Sequence, residues 1–343
     1  MAYTTINKPS EYFNIKLYTG NGSSGNAQTG IGFQPDWVWI KDRGQVAGHQ
    51  IFDSVRGATK RIQSNSAGAE VTNDGVSSFD SDGFTLGANS SCNENSQNFV
   101  AWNWLGGGTG VSNTQGDITS TVSANTTSGF SIVSYTGTGA NATVGHGLSA
   151  TPKMIILKDR NGTNQWGVYN ANIGATKYLL LETTGGAGTA STLWNNTEPT
   201  SSVFTVGTTT TTNGSGLNYI AYCFAEKKGY SKFGSYVGNG NADGTFVYTG
   251  FKPAWIMVKR TSTAGENWNI RDNKRSPINP ANNNLPANDS RAEEPYYATD
   301  LLSNGFKIRT LEGGHNTNGG TYIYMAFAEN PLVGTNGVPA TAR

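Results

Sequence analysis

A chain of 343 residues exceeds the usual size of one hydrophobic core, so two or three domains are expected, each able to bury an ordinary interior. Charged residues make up 14% and the net charge is +1, with Lys and Arg scattered singly, which excludes the basic footprint of a nucleic-acid binder or an anionic-membrane binder. The 45 glycines amid abundant Asn, Ser and Thr suit strands joined by tight turns, so the fold class expected is all-β.

Residues 1–12 come first, with only Tyr3, Ile6 and Tyr12 as large apolar groups. They read as an N-terminal arm without a core of its own, mobile alone and ordered only against a partner. No apolar signal-peptide core and no 18-residue apolar run occurs, so a soluble protein made in a cytoplasm without secretion or membrane insertion is expected. N-x-S/T triplets such as Asn89-Ser90-Ser91 arise by chance in so Asn- and Ser-rich a chain.

From residue 13 onward the chain repeats itself three times. Each repeat opens with a strand ending in Tyr and a glycine turn: "FNIKLYTGNG" at 13–22, "FSIVSYTGTG" at 130–139 and "KFGSYVGNG" at 232–240. A proline-led apolar run ending in lysine follows, "PDWVWIKDR" from Pro35, "PKMIILKDR" from Pro152 and "PAWIMVKRT" from Pro253. Because these runs do not alternate, they predict a central strand covered on both faces, with the proline marking its start. The short strands "HQIFDS", "WGVYNA" and "WNIRDN" come next, and "GATK" at 57–60 recurs at 174–177 but gives way to "SPIN" in the third repeat. Each repeat closes with a turn-and-strand pair whose second member is "NFVAWNW", "NYIAYCF" or "TYIYMAF". From the proline to the final aromatic the spacings are 69, 72 and 74 positions, which only a triplication explains. In the closing strand Val100, Trp102 and Trp104 alternate with Phe99, Ala101 and Asn103, the period of a strand with one packed face.

The architecture expected is therefore three tandem antiparallel β-sandwich repeats of jelly-roll type at 13–108, 129–230 and 231–333. Between the first two lies a Gly/Ser/Thr-rich linker, 109–128, read as flexible or extended, and a C-terminal tail occupies 334–343. The second and third repeats are joined so closely that they read as a rigid pair.

Chemistry is sparse. His49, His146 and His315 occupy different blocks without Cys or acidic neighbours at ligand spacing, so no metal is implied and structural roles are expected. Cys92 and Cys223 fall at non-equivalent places and read as reduced thiols. "DSDG" at Asp80–Gly83 lacks the distal Glu of a calcium loop and reads as a turn. Glu293 and Glu294 read as a solvated loop rather than a glycosidase pair, so no catalytic residue and no cofactor is expected. The aromatic, Asn-rich stretches 161–170 and 263–273 have the side chains that bind sugars, yet Trp166 and Trp268 align with each other as core positions would, and the ligand-binding residues stay unknown.

With these blocks laid out, "MAYTTINKPSEYFNIKLYTGNG", "GIGFQPDWVWIKDR", "RGATKRIQSN", "SKFGSYVGNGNADGTFVYTGFKPAWIMVKR" and "GGTYIYMAFAENPLV" resemble a group of uncharacterised bacteriophage repeat proteins, especially of marine bacteria and cyanobacteria. The resemblance covers nearly the whole chain and departs from regularity in the third repeat, where "KRTS" replaces "KDRG" and "KDRN", so the roles of Asp42 and Asp159 are not repeated there. It implies a non-enzymatic virion structural protein, a tail-fibre or receptor-facing component able to bind host glycan, with a capsid decoration or head-fibre protein as the alternative and a polysaccharide depolymerase third. It also implies concanavalin-like sandwich domains, other virion proteins as partners, a homo-oligomer with a trimer favoured, and the virion as location; the arm at 1–12, by its own composition, is expected to dock the protein to the virion or to a neighbouring copy.

Overall fold

A computed structural model describes residues 3–333 and Pro339; the expected tail at 334–343 otherwise lies outside the described residues. Strands account for 45% of the chain and helices for 6%, so the protein is all-β. Among the described residues no helix is long and apolar enough to cross a membrane.

Each sequence repeat builds one large antiparallel sheet around the same four strands. The opening strands are Phe13–Thr19, Phe130–Thr136 and Ser231–Val237, and the proline-led strands are Trp37–Asp42, Met154–Asp159 and Phe251–Arg260. The closing strands Asn98–Trp104, Asn218–Phe224 and Thr321–Pro331 lie between them in every case, and Gln50–Asp53, Gly167–Asn170 and Asn269–Asp272 flank the proline-led strand. Register is conserved as well: Trp104 pairs with Phe13 and Trp37, Phe224 with Phe130 and Met154, Phe327 with Ser231 and Trp255.

One face of each large sheet is covered by strands of its own repeat. In the first repeat Val38, Ile40, Phe52, Phe99 and Ala101 meet Phe84, Leu86 and Val76, and the other repeats build comparable interiors around Phe204 and Phe306. Turn chemistry places these covering strands: Gly83 adopts φ +152°, and a Cβ there would lie 1.9 Å from the Gln28 carbonyl oxygen. Asp82 of "DSDG" accepts from the Gly30 and Gly32 N–H groups, so that motif is a turn clamp.

The opposite faces of all three sheets meet in one further core. Val100, Trp102 and Trp104, Ile220, Tyr222 and Phe224, and Ile323, Met325 and Phe327 belong to a single cluster together with alternate residues of the proline-led strands. The equivalent aromatics Trp104, Phe224 and Phe327 converge at its centre, with Phe327 5.6 Å from Trp104 and 6.1 Å from Phe224 between ring centroids. Trp37 stacks on Tyr222 of the second repeat at 4.6 Å, and Trp104 meets Trp255 of the third edge-on at 5.7 Å. The proline-led strands are covered on both faces, and so, against expectation, are the closing strands, because their second face is shared among repeats.

Two further expectations are corrected by this arrangement. The first repeat is not a separate body swinging beside a rigid pair, since all three contribute to the common core. The 109–128 stretch is not loose: Val111–Asn113 and Ser120–Asn125 pair with each other, and the latter extends the second sheet by pairing with Phe130–Thr136. Its polar alternation hid a real strand, whose Ser120 and Ser123 are buried and hydrogen-bonded to Gly145 O and Gly107 N.

The N-terminal arm is likewise ordered against its own chain. Ile6 is 2% exposed inside the shared core, the Thr4 hydroxyl donates to Lys228 O at 2.6 Å, and the Tyr3 hydroxyl donates to Gly250 O at 2.6 Å. A few apolar residues suffice because the core they join is supplied by the repeats. Truncating Ile6 removes buried volume without a way to collapse it, so Ile6→Ala should cost about 2–4 kcal/mol in urea unfolding, in a single transition; no loss of stability would mean that the arm does not seal the core.

Candidate functional site

The polar chemistry of the molecule concentrates at the seams between repeats. These run in one rotational sense, the second repeat leaning on the first, the third on the second and the first on the third, so the head-to-tail contacts close a ring of three within one chain. At each seam the second residue after the buried lysine of the proline-led strand offers its carbonyl to the neighbour: Glu70 N–H donates to Arg160 O (2.9 Å), Ala187 N–H to Thr261 O (2.9 Å) and Glu293 N–H to Arg43 O (2.7 Å). An indole or imidazole crosses each seam too. Trp166 Nε1 donates to Gln63 O and Ser66 O, Trp268 Nε1 to Leu180 O, and His49 Nε2 to Pro286 O.

Two seams add an ion cluster of two cations and two anions. Between first and third repeats, Arg43 forms a fork on Glu293 (2.7 and 3.0 Å), Arg275 Nη1 reaches the same carboxylate (3.0 Å), and Arg275 Nε holds Asp272 (2.5 Å), which also accepts from Trp102 Nε1 (3.0 Å). Between second and first, Arg160 forks on Glu70 (2.9 and 3.0 Å), Arg56 Nη1 joins it (3.2 Å), and Arg56 Nε holds Asp53 (2.5 Å), which accepts from the Tyr222 hydroxyl (2.8 Å). Arg56 and Arg275 have no exposed side-chain surface. Burial works against the Arg56 charge, but Asp53, Tyr222 and Glu70 outweigh it and hold the guanidinium above its ordinary range, while the two arginines depress Glu70.

The third seam has none of these charges. Thr261 stands where Arg43 and Arg160 stand, Ala187 in place of the glutamates, Ile173 in place of Arg56 and Arg275, Asn170 in place of the aspartates, and Met325 in place of Trp102 and Tyr222. The result is a cleft of about 560 Å³ between Asn172, Ile173 and Lys177 of the second repeat and Ser235, Thr261 and Thr321 of the third. At the matching place on the first-to-second seam, with Glu70 and Arg160 present, the space is about 220 Å³. There Arg160 Nη1 also donates to the Ser134 hydroxyl; its counterpart Ser235 is left exposed, without a side-chain partner among the described residues, because Thr261 is too short to reach it. Among the described residues Lys177 is exposed with no ion pair, and no carboxylate lines the cleft.

The residues singled out in the sequence serve the framework. His49 accepts from Trp39 Nε1 at Nδ1, His146 Nδ1 accepts from Leu148 N, and His315 Nε2 accepts from Arg271 at 2.6 Å; burial lowers all three, so each imidazole is neutral. Burial raises the thiols of Cys92 and Cys223, which are unpaired. Asp42 and Asp159 accept from the N–H groups of the loops that follow them. Trp166 and Trp268 are buried at the seams, and Glu293, expected in a solvated loop, is a seam ion, whereas Glu294 pairs with exposed Arg291. The carboxylates of 293 and 294 thus go to different partners. Sequence reasoning missed the seam ions; the signal was Asp-x-x-Arg, present at 53–56 and 272–275 and replaced by Asn170-x-x-Ile173.

The lysine next to the end of each proline-led strand is fully buried and ties down the next loop. Lys41 Nζ donates to Asp42 O and Gln45 O, Lys158 Nζ to Asp159 O and Gly162 O, and Lys259 Nζ to Glu266 O. Burial brings each ammonium down to about 8.

These sheets and seams define an all-β protein whose repeats form one body. The chain belongs to the family described as "Domain of unknown function (DUF7483)", which it matches over residues 8–331, all three repeats together. No curated protein and no solved structure matches it significantly.

Two outcomes test the seams. Replacing Glu293 or Glu70 by Ala strands buried arginine charge, so each should lose about 3 kcal/mol in denaturant unfolding, while Glu294→Ala changes little; equal effects would refute the seam assignment. The lysines give a pH signature. An unfolded lysine titrates near 10.4, so between pH 8 and 10.4 each of these sites holds more proton unfolded than native and adds a rise of stability with pH, while the buried thiols, which ionise only when unfolded, act in the opposite direction. Lys158→Met removes one rising contribution and leaves the thiols unchanged, so between about pH 8 and 9 the urea midpoint should rise less, or fall more, in the variant than in the wild type; parallel slopes would contradict the burial of this charge.

Proposed function

We propose that this protein is a non-enzymatic structural component of a bacteriophage particle, displayed on its surface as a tail-fibre or receptor-facing element that contacts host glycan. In this reading its sheets form three tandem antiparallel β-sandwiches of jelly-roll, concanavalin-like type at 13–108, 129–230 and 231–333. It assembles with other virion proteins, as a homotrimer in a fibre, and reaches the virion from the bacterial cytoplasm. The observation that carries the proposal is the use to which the ionisable and aromatic side chains are put. Aspartates, arginines and tryptophans, together with His49, that would serve a reaction are instead engaged in closing the ring of repeats, which suits a rigid displayed body.

A second reading, a capsid decoration or head-fibre protein, is favoured by the ring itself. Three equivalent sheets around one centre give a single chain a threefold-like outline suited to a threefold position on a shell.

Mass spectrometry of purified particles, followed by cryo-electron microscopy, distinguishes these readings. Density for the three-lobed body on a tail structure supports the first and density on the capsid the second; absence of the protein from particles removes both.

A further inference from the structure

The three seams are internal controls for one another. The backbone bond and the aromatic or imidazole crossing are kept at all of them, so the third seam closes as the others do; what differs is that every charged position has been exchanged for a neutral one. A seam that needed only stability would refill that space with apolar side chains, as Ile173 and Met325 do at its inner end. Its outer end carries, beside Ala187 and Val237, the Ser235 hydroxyl, the Thr261 and Thr321 hydroxyls bonded to each other, the side-chain oxygen of Asn172, whose amide hydrogens go to Asn170 Oδ1 and Phe233 O, and the ammonium of Lys177, which has no ion pair among the described residues.

We propose that this cleft binds an acidic sugar, a polyhydroxylated ring carrying one carboxylate, as in a uronate residue of a polysaccharide. The size is that of small-ligand sites, and the donors converge from two repeats on one space. The Ser235 hydroxyl, which donates and accepts, and the accepting side-chain oxygen of Asn172 match sugar hydroxyls, whereas a single ammonium with no carboxylate lining the cleft selects one negative charge. In effect the ligand's carboxylate takes the place of the glutamate that fills the other two seams, and Lys177 takes that of its arginine partners. Asn172 and Ser235 are both exposed, so a residue within a longer chain can enter from solvent. The assignment rests on the glycan-contacting reading above and gives it a location and a ligand class.

Saturation-transfer NMR and calorimetry on the full chain with sodium glucuronate, glucose and sodium acetate test it. Glucuronate should bind about 10-fold more tightly than either glucose or acetate, as expected when one charge-assisted contact is added to the hydroxyl contacts. Lys177→Gln should remove the preference over glucose. Combining Ile173→Arg, Ala187→Glu and Thr261→Arg rebuilds the ion cluster of the other seams and should abolish binding in a folded protein. Ser235→Tyr, an exposed change, fills the cleft should the triple variant fail to fold. Glucuronate binding no tighter than acetate, or undiminished in the filled cleft, overturns the proposal. Particles that contain the protein while it ignores glucuronate defeat this inference and leave the virion role standing; uronate binding by a protein absent from particles does the reverse.

Discussion

The closing strand, buried on both of its faces, is the constraint on which the rest depends. Phe99 and Ala101 face one interior while Val100, Trp102 and Trp104 face another, and the second exists only where three sheets meet. A repeat standing alone would expose a contiguous face of Trp, Ile and Phe far beyond what a soluble surface tolerates. The repeats are therefore mutually obligate, although each has a private interior of its own. That the family match runs unbroken across all three agrees with a unit that cannot be divided.

Burying three sheets against one another also buries the polar groups at their margins, and the seams follow from that. A carboxylate such as Asp53 is tolerable there only with Arg56, the N–H groups of Val55 and Arg56, and the Tyr222 hydroxyl all directed at it. Removing one member would leave the others desolvated and unmatched, which is costlier than removing them together. The third seam conforms. Where the donor at the Trp102 and Tyr222 position becomes Met325, the aspartate opposite has become Asn170 and its arginine Ile173, so no buried charge is left without a partner.

How much of this was legible in the sequence depended on whether a feature lay within a repeat or between repeats. The proline-led runs, the closing strands and the "DSDG" turn announce themselves through local period and turn chemistry, and they occur where expected. Relations between repeats carry no such period. Arg43 and Glu293 lie 250 residues apart, and Glu293 sits among Asn, Asp and Arg residues that locally read as solvated loop. Ser120–Asn125 was obscured because strand pairing can be satisfied by small polar residues, whose side chains give no apolar alternation. The arm was misjudged for a related reason: Ile6 has no core in its own segment but finds one assembled jointly by all three repeats.

The order of the repeats along the chain accounts for which seam could lose its ions. Second and third repeats are joined by residues 225–230 alone, so their closing and opening strands are held at high effective concentration and need little from their seam. First and third are the most distant in sequence, and closing them carries the largest loop entropy. That contact is bonded along its length, with the Arg43 fork, Ser64 Oγ to Ala287 O, His49 to Pro286 O and the Phe13 ring stacked on Phe327, and the arm adds Tyr3 to Gly250. The ion clusters stand where connectivity is weakest. Where the chain itself does the holding, the same positions are free to be neutral and open, and that freedom is what makes a cleft at the second-to-third seam compatible with a stable ring.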